Sequence, residues 1–185
     1  MNRMGLCKSA GASLRLHIPS FMVNMKRELL ALSDEELLKL CRVDLCRGTG
    51  PGGQKRNKTS TAVRITHVAS GLAATDDATR SQHVNRAHAL AKLRVELAVK
   101  LPPDEGFAQP SLPLEPVPRV GRPEYPQWLG EVFSVLALNS FQPAGAATAF
   151  GCSSSHLIRV IAKDETAWQH FAQARQRLGL PPLHK

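Results

Sequence analysis

At 185 residues the chain holds one domain of ordinary size and a small appendage, and no apolar run approaches the length needed to span a bilayer. Its 24 Lys/Arg against 15 Asp/Glu leave a formal net charge of +9; residues 1–100 carry 17 of those cations and 8 of the acids, so the excess sits in the first half and favours a polyanionic partner. Cys7, Cys41, Cys46 and Cys152 form no CxxC pair and no second cluster, which speaks against zinc or a disulfide framework and for a reducing compartment.

The first 24 residues contain Arg3, Lys8 and Arg15 but no acid. A transit peptide has this composition. Without an amphipathic stripe or an apolar h-region, we read a disordered arm or a translation start upstream of Met22 or Met25. Ser33-Asp34-Glu35-Glu36 is a capping box that opens a helix from Glu35 to Leu40. Val43 to Cys46 then reads as a short strand.

Arg47 to Lys58, RGTGPGGQKRNK, follows that strand and is nearly devoid of apolar side chains, so it cannot be packed core. Gly52 and Gly53 admit backbone angles closed to other residues and let the main chain come close to a ligand. Pro51 biases Gly50 away from helix and stiffens the approach. Gln54 has donors and an acceptor but no proton that titrates near neutrality, so it cannot serve as a general base. Chemistry at such a loop rests on positioning a water and on N–H groups aimed at a developing oxyanion. Taken alone, the pentapeptide Gly50 to Gln54 is equally a flexible Gly-rich loop or a phosphate-binding turn.

Beyond the loop, Lys55 to Thr59 has room for one helical turn, and Ala62 to Val68 alternates as a half-buried strand with Val63 and Ile65 on one face. Ser70-Gly71 turns it into a partner over Leu72 to Thr75. Thr79 with Gln82 makes a second capping box for a helix reaching about Val99. Its predicted apolar stripe is Val84, Ala87, Ala91, Val95 and Ala98, widened by Leu90 and Leu97, with Arg80, Arg86, Lys92 and Arg94 largely away from it. His83 and His88, five apart, lie off a shared face and make no metal pair.

Eight prolines between Pro102 and Pro126 predict a semi-extended linker over residues 101–126. It separates a loop-bearing domain, residues 25–100, from a helical unit, residues 127–185. That unit reads as helices Trp128 to Leu138, Pro143 to Phe150, Ser154 to Ala162 and Glu165 to Leu178, the last opened by Asp164 and stopped by Gly179. The run from Ala147 through Gly151 to Arg159 resembles a helix-turn-helix whose second helix presents Ser154, Ser155, His156 and Arg159. A plain helical bundle with a glycine turn is the other reading.

Several motifs in order carry a family resemblance: Gly50-Pro51-Gly52-Gly53-Gln54, Asn57 to His67, Ser70-Gly71, Arg80-Ser81-Gln82, Asn85-Arg86 and Ala89-Leu90. From about Leu40 to Leu97 the chain resembles the catalytic domain shared by class I peptide chain release factors and ribosome-rescue peptidyl-tRNA hydrolases. The resemblance implies an α+β fold, a small sheet with packed helices carrying the Gly-Gly-Gln loop. It implies hydrolysis of the ester between nascent peptide and tRNA, with Gly52, Gly53 and Gln54 as the catalytic residues. Gln54 would place the water and exclude other nucleophiles, its backbone N–H would stabilise the tetrahedral intermediate, and ribosomal RNA and the substrate's own hydroxyl would supply the rest. No cofactor or metal is implied. The partners would be the large-subunit reaction centre, peptidyl-tRNA and rRNA, met by a cytoplasmic monomer. Arg47, Lys55, Arg56, Asn57, Lys58, Arg80 and Arg86 are the candidate RNA contacts, and Asn85, like Arg80 and Gln82, is expected to brace the fold or touch rRNA.

Many decoding release factors have Ala where this chain has Pro51 and His-Val where it has Lys55-Arg56, so the loop resembles the shorter rescue-type members. Ala73-Ala74-Thr75-Asp76-Asp77 replaces the Cys-Gln-Asp-like stretch common before the Arg-Ser-Gln motif. A decoding domain and an N-terminal helical domain are not expected at this length. The expectation is therefore codon-independent rescue of stalled ribosomes, anchored by the C-terminal helices through Arg159, Lys163, Arg175 and Arg177. A non-catalytic ribosome-docking factor and a helix-turn-helix DNA regulator are the alternatives.

Overall fold

The computed structural model describes residues 26–46 and 61–184. A short helix α1, Lys26–Ala31, leads through the Ser33 cap into α2, Asp34–Lys39. The capping box forms as the sequence predicts: the Ser33 hydroxyl accepts from the Glu36 N–H at 3.3 Å, and the Glu36 carboxylate accepts from the Ser33 N–H at 2.9 Å. Helix α1 is not legible in the sequence. Its first N–H groups, at Lys26 and Arg27, donate to the Asp104 carboxylate at 2.6 and 3.1 Å. That cap lies 78 residues away from Lys26 in the chain.

The chain then forms an antiparallel sheet in the order β1-β2-β3, with β1 at Cys41–Cys46, β2 at Ala62–His67 and β3 at Ala73–Asp76. Strand β1 begins two residues before the predicted start, and β3 runs one residue later than predicted. Gly71, at φ +70°, makes the turn into β3. Across the sheet Val43 faces Ile65, which faces Ala74; Leu45 faces Val63, which faces Asp76. Val63, Ile65 and Ala74 are buried, whereas Leu45 on the edge strand is 57% exposed.

Helix α3, Gln82–Lys100, packs across β2 and β3. Its cap is a correction to the predicted one: the Ser81 hydroxyl accepts from the Val84 N–H, while the Thr79 hydroxyl donates to Asn85 Oδ1 at 2.8 Å and lies 3.2 Å from the Ser81 carbonyl. The buried face is also rotated from the predicted stripe. Asn85, Ala89, Leu90, Leu93, Arg94, Leu97 and Ala98 point inward, and Val84, Ala87 and Ala91 are exposed. Arg94 turns inward because it is fully paired. It donates to the Leu30 and Leu32 carbonyls and to Asp34, closing the end of α1 onto the start of α2.

Residues 101–123 are irregular but held. Phe107 and Leu114 are buried, Trp128 Nε1 donates to the Leu114 carbonyl at 3.1 Å, and the buried Glu131 carboxylate accepts from the Ser111 and Leu112 N–H groups. Helix α4, Glu124–Leu138, begins four residues before the predicted Trp128 and runs against both α1 and α3. Helices α5, Pro143–Ala149, α6, Ser154–Ala162, and α7, Glu165–Arg177, complete the chain. Gly151 at φ +63° turns α5 into α6, and Asp164 caps α7 as predicted. One apolar cluster runs from Leu29 and Ile65 through Leu93 and Phe133 to Phe171.

Candidate functional site

The predicted catalytic residues Gly52, Gly53 and Gln54 lie outside the described residues, as do Arg47, Lys55, Arg56, Asn57 and Lys58 and the helical turn predicted over residues 55–59. What the structure supplies is their mounting. Cys46, the last residue of β1, is the register partner of Ala62, the first of β2. Paired residues of an antiparallel ladder stand about 5 Å apart, so the stretch between them leaves and rejoins the sheet at one end.

The same end carries the β3–α3 turn, because Val63 pairs with Asp76 and the turn follows directly. Asn85, 0% exposed in the first turns of α3, joins the two. Its Nδ2 donates to the Thr61 carbonyl at 2.7 Å and to the Thr79 carbonyl at 2.8 Å. Its Oδ1 accepts from the Thr79 N–H at 2.9 Å and from the Thr79 hydroxyl at 2.8 Å. Both carbonyls can only accept, so the orientation of the amide is fixed by its partners. Asn85 therefore braces the fold, one of the two roles its motif implied; sequence alone named neither Thr61 nor Thr79 as its partners.

Two predicted RNA-contact residues sit beside this brace. Arg80 is exposed within the turn, and Arg86 is exposed on α3 one residue after Asn85. Arg64 on the solvent face of β2 adds a third exposed cation near the same end. Its proximity follows from the register, which no local pattern states.

Asp76 closes β3 on the other side of the turn. Its carboxylate accepts from Lys92 Nζ at 2.6 Å and from the Ala78 N–H at 3.2 Å, with His88 Nδ1 at 3.5 Å. Burial alone would push this carboxyl up; the bonds from Lys92 and Ala78 and the charges of Lys92 and His88 outweigh it and hold it below its ordinary value. The replaced stretch Ala73 to Asp77 thus still ends a strand and anchors α3. His67, buried at the far end of β2, sits 2.8 Å from the Ser70 hydroxyl, and burial lowers its affinity for a proton.

A cleft of about 1010 Å³ lies between the α1–α2 junction, β3, α3 and residues 120–127. Ala87, Ala91 and Val95 form part of its wall, and none of Thr61, Thr79 or Asn85 does, so it is separate from the loop mounting. In the C-terminal helices the expected anchor cations divide. Arg175 is 4% exposed and donates to the Phe141 and Pro181 carbonyls, so it is structural. Lys163 pairs with Glu115, which His156 also meets at 3.2 Å. Arg159 and Arg177 remain exposed.

Comparison with known proteins places these features. Residues 34–105 match the RF-1 domain family. Peptide chain release factor 2 of Paramagnetospirillum magneticum is 53% identical over 57 residues, 31% of this chain and 15% of its own length. Peptide chain release factor 1 of Wolbachia pipientis subsp. Culex pipiens is 40% identical over 86 residues, 46% of this chain and 24% of its own. The Ehrlichia canis peptide chain release factor 1 is 40% identical over 90 residues, with the same coverage. The chain thus spans a quarter or less of the length of these curated relatives. The sheet, the Asn85-braced turn and helix α3 all lie within residues 34–105, the part of the chain that matches the RF-1 domain family and is similar to class I release factors.

Proposed function

We propose that the chain is a codon-independent peptidyl-tRNA hydrolase that rescues stalled ribosomes. The observation that carries this reading is the RF-1 domain match across residues 34–105, which brackets Gly52-Gly53-Gln54 between two strands paired at Cys46 and Ala62. The relatives that share this region are named peptide chain release factors. The rescue-type reading adds the loop's own chemistry: Pro51 and the cations Lys55 and Arg56 resemble rescue members more than decoding ones.

In this reading Gln54 places the attacking water at the ester carbonyl, and its backbone N–H receives the developing oxyanion. The cations Arg47, Lys55, Arg56 and Lys58, with Asn57, hold the loop against rRNA and tRNA phosphates, and Arg80 and Arg86 extend that surface along the turn and α3. Ribosomal RNA and the tRNA hydroxyl supply the groups that this chain lacks. The reaction takes place on the large subunit, in the cytoplasm, with the protein acting as a monomer. The loop-bearing unit, residues 25–100, performs the chemistry, and the helical unit, residues 127–185, anchors through Arg159 and Arg177. A groove-reading role for the α5–α6 pair gains no support, since Glu115 places a carboxylate against α6 between His156 and Lys163.

The test is peptide release from ribosomes stalled at the end of a truncated mRNA, set beside a stop-codon-programmed complex. We expect release on the truncated complex, lowered at least about 10²-fold by Gly53→Ala, in line with losing one oxyanion donor or its placement. Tight ribosome binding without release would overturn the hydrolase in favour of a non-catalytic docking factor.

A further inference from the structure

We propose that Asn85 is a positioning residue for the reaction, fixing the point at which residues 47–60 rejoin the sheet and tying it to the turn that carries Arg80. The inference rests on the hydrolase reading above. Its physical basis is how fully the amide is used: two donors and two acceptor positions, four bonds between 2.7 and 2.9 Å, at 0% exposure. A residue wanted only for volume at a helix–sheet contact would be Leu or Met, which need no partners. A buried amide is costly unless every polar group is met, and it is directional once they are.

The direction is what matters here. Thr61 is the residue immediately before β2, and its carbonyl is gripped by Asn85 Nδ2 at 2.7 Å. The other end of the segment is held by the pairing of Cys46 with Ala62. Gln54 lies eight residues after Cys46 and seven before Thr61 in the sequence, so these two anchors are the described points closest to it on either side. Near-attack geometry tolerates displacements of well under an ångström before rate is lost. Asn85 touches no reacting atom; it acts through Thr61.

The first variant is Asn85→Asp, which keeps both acceptor contacts to Thr79 but removes the donors to the Thr61 and Thr79 carbonyls and sets a carboxylate against them. Release at saturating protein should fall at least about ten-fold, with half-saturating concentration on ribosomes unchanged, and hydrogen exchange at Thr61 and Ala62 should rise while β2–β3 pairing stays protected. Thr79→Val, which removes one bond to Oδ1 without opening the core, should give a smaller loss of about two- to ten-fold in the same sense and serves if the first variant does not fold. Binding and release falling in parallel, with the melting temperature, would make Asn85 a packing residue and overturn the proposal. If the wild type itself releases nothing, the hydrolase reading falls; exchange at Thr61 that Asn85→Asp leaves unchanged would then overturn the clamp as well.

Discussion

Lys26 buries an amine, 4% exposed, whose Nζ donates to the Leu101 carbonyl at 3.2 Å and to the Ser134 hydroxyl at 3.1 Å. Burial lowers its pKa to about 7, against a smaller opposing pull from Asp104. The unfolded chain holds this proton up to about pH 10.4, so between roughly 7 and 10 the unfolded state binds more protons than the folded one. Stability from this group must then rise with pH across that window, by up to about 1.4 kcal/mol per pH unit, and be absent below it. Lys26→Met removes the titration. We expect the difference in unfolding free energy between wild type and Lys26→Met to depend on pH only between about 7 and 10, with the variant the more stable at pH 7; denaturant melts at pH 6.5, 8 and 9.5 measure it. A difference that does not vary with pH would show the amine to be charged in the fold. Nothing in the sequence around Lys26 signals its burial, because its partners lie 75 and 108 residues away. The same holds for Arg94: its charge assigned it to solvent, whereas the carbonyls that end α1 hold it inside.

Elements were legible where their signals are local. Ser33 with Glu36, Asp164 before α7, and the alternation of β2 each rest on contacts within a few residues, and each formed. The face of α3 was legible only in part, at Leu90, Leu97 and Ala98, for the opposite reason. Ala87, Ala91 and Val84 are apolar but small, and the face that packs is set by Leu90, Leu93 and Leu97 meeting β2, β3 and α4, with Asn85 and Arg94 admitted because other segments pair them. The α5–α6 turn offers a clean test of a local rule. Gly151 sits at φ +63°, and a Cβ there would meet nothing within 4 Å. Gly151→Ala should therefore cost only the left-handed backbone penalty, about 1–2 kcal/mol, lowering the melting temperature by a few degrees for a chain of this size. Loss of much more would mean that the turn had rearranged α6.

Within the predicted linker, residues 101–123 are irregular while 124–126 already belong to α4, and the prediction says nothing of how tightly the segment lies on the helices. Prolines exclude regular elements but not contacts, and here Asp104 caps α1 while Ser111 and Leu112 bind Glu131. Helix α4 presents Leu129, Val132, Phe133 and Leu136, each no more than 2% exposed, to a cluster that includes Leu30 of α1 and Leu93 and Leu97 of α3. Burying four such side chains is worth about 6–12 kcal/mol, comparable to the whole net stability of an ordinary domain. Removing residues 127–185 should thus cost the RF-1 domain its cooperative unfolding transition and expose α1 and α3. Thermal melts and dye binding to apolar surface would show this; a sharp transition in the truncated chain would prove the domain self-sufficient. It follows that truncation cannot measure an anchor, since binding would fail with the fold. Charge reversal can. Arg159→Glu together with Arg177→Glu alters two exposed side chains on α6 and α7 without touching the buried Arg175. If those helices hold the ribosome, the double variant should bind it several-fold more weakly, with a reduced salt dependence and an unchanged melting temperature. Equal binding across the salt series would place the anchor on the loop-bearing unit, where the excess positive charge of the chain resides.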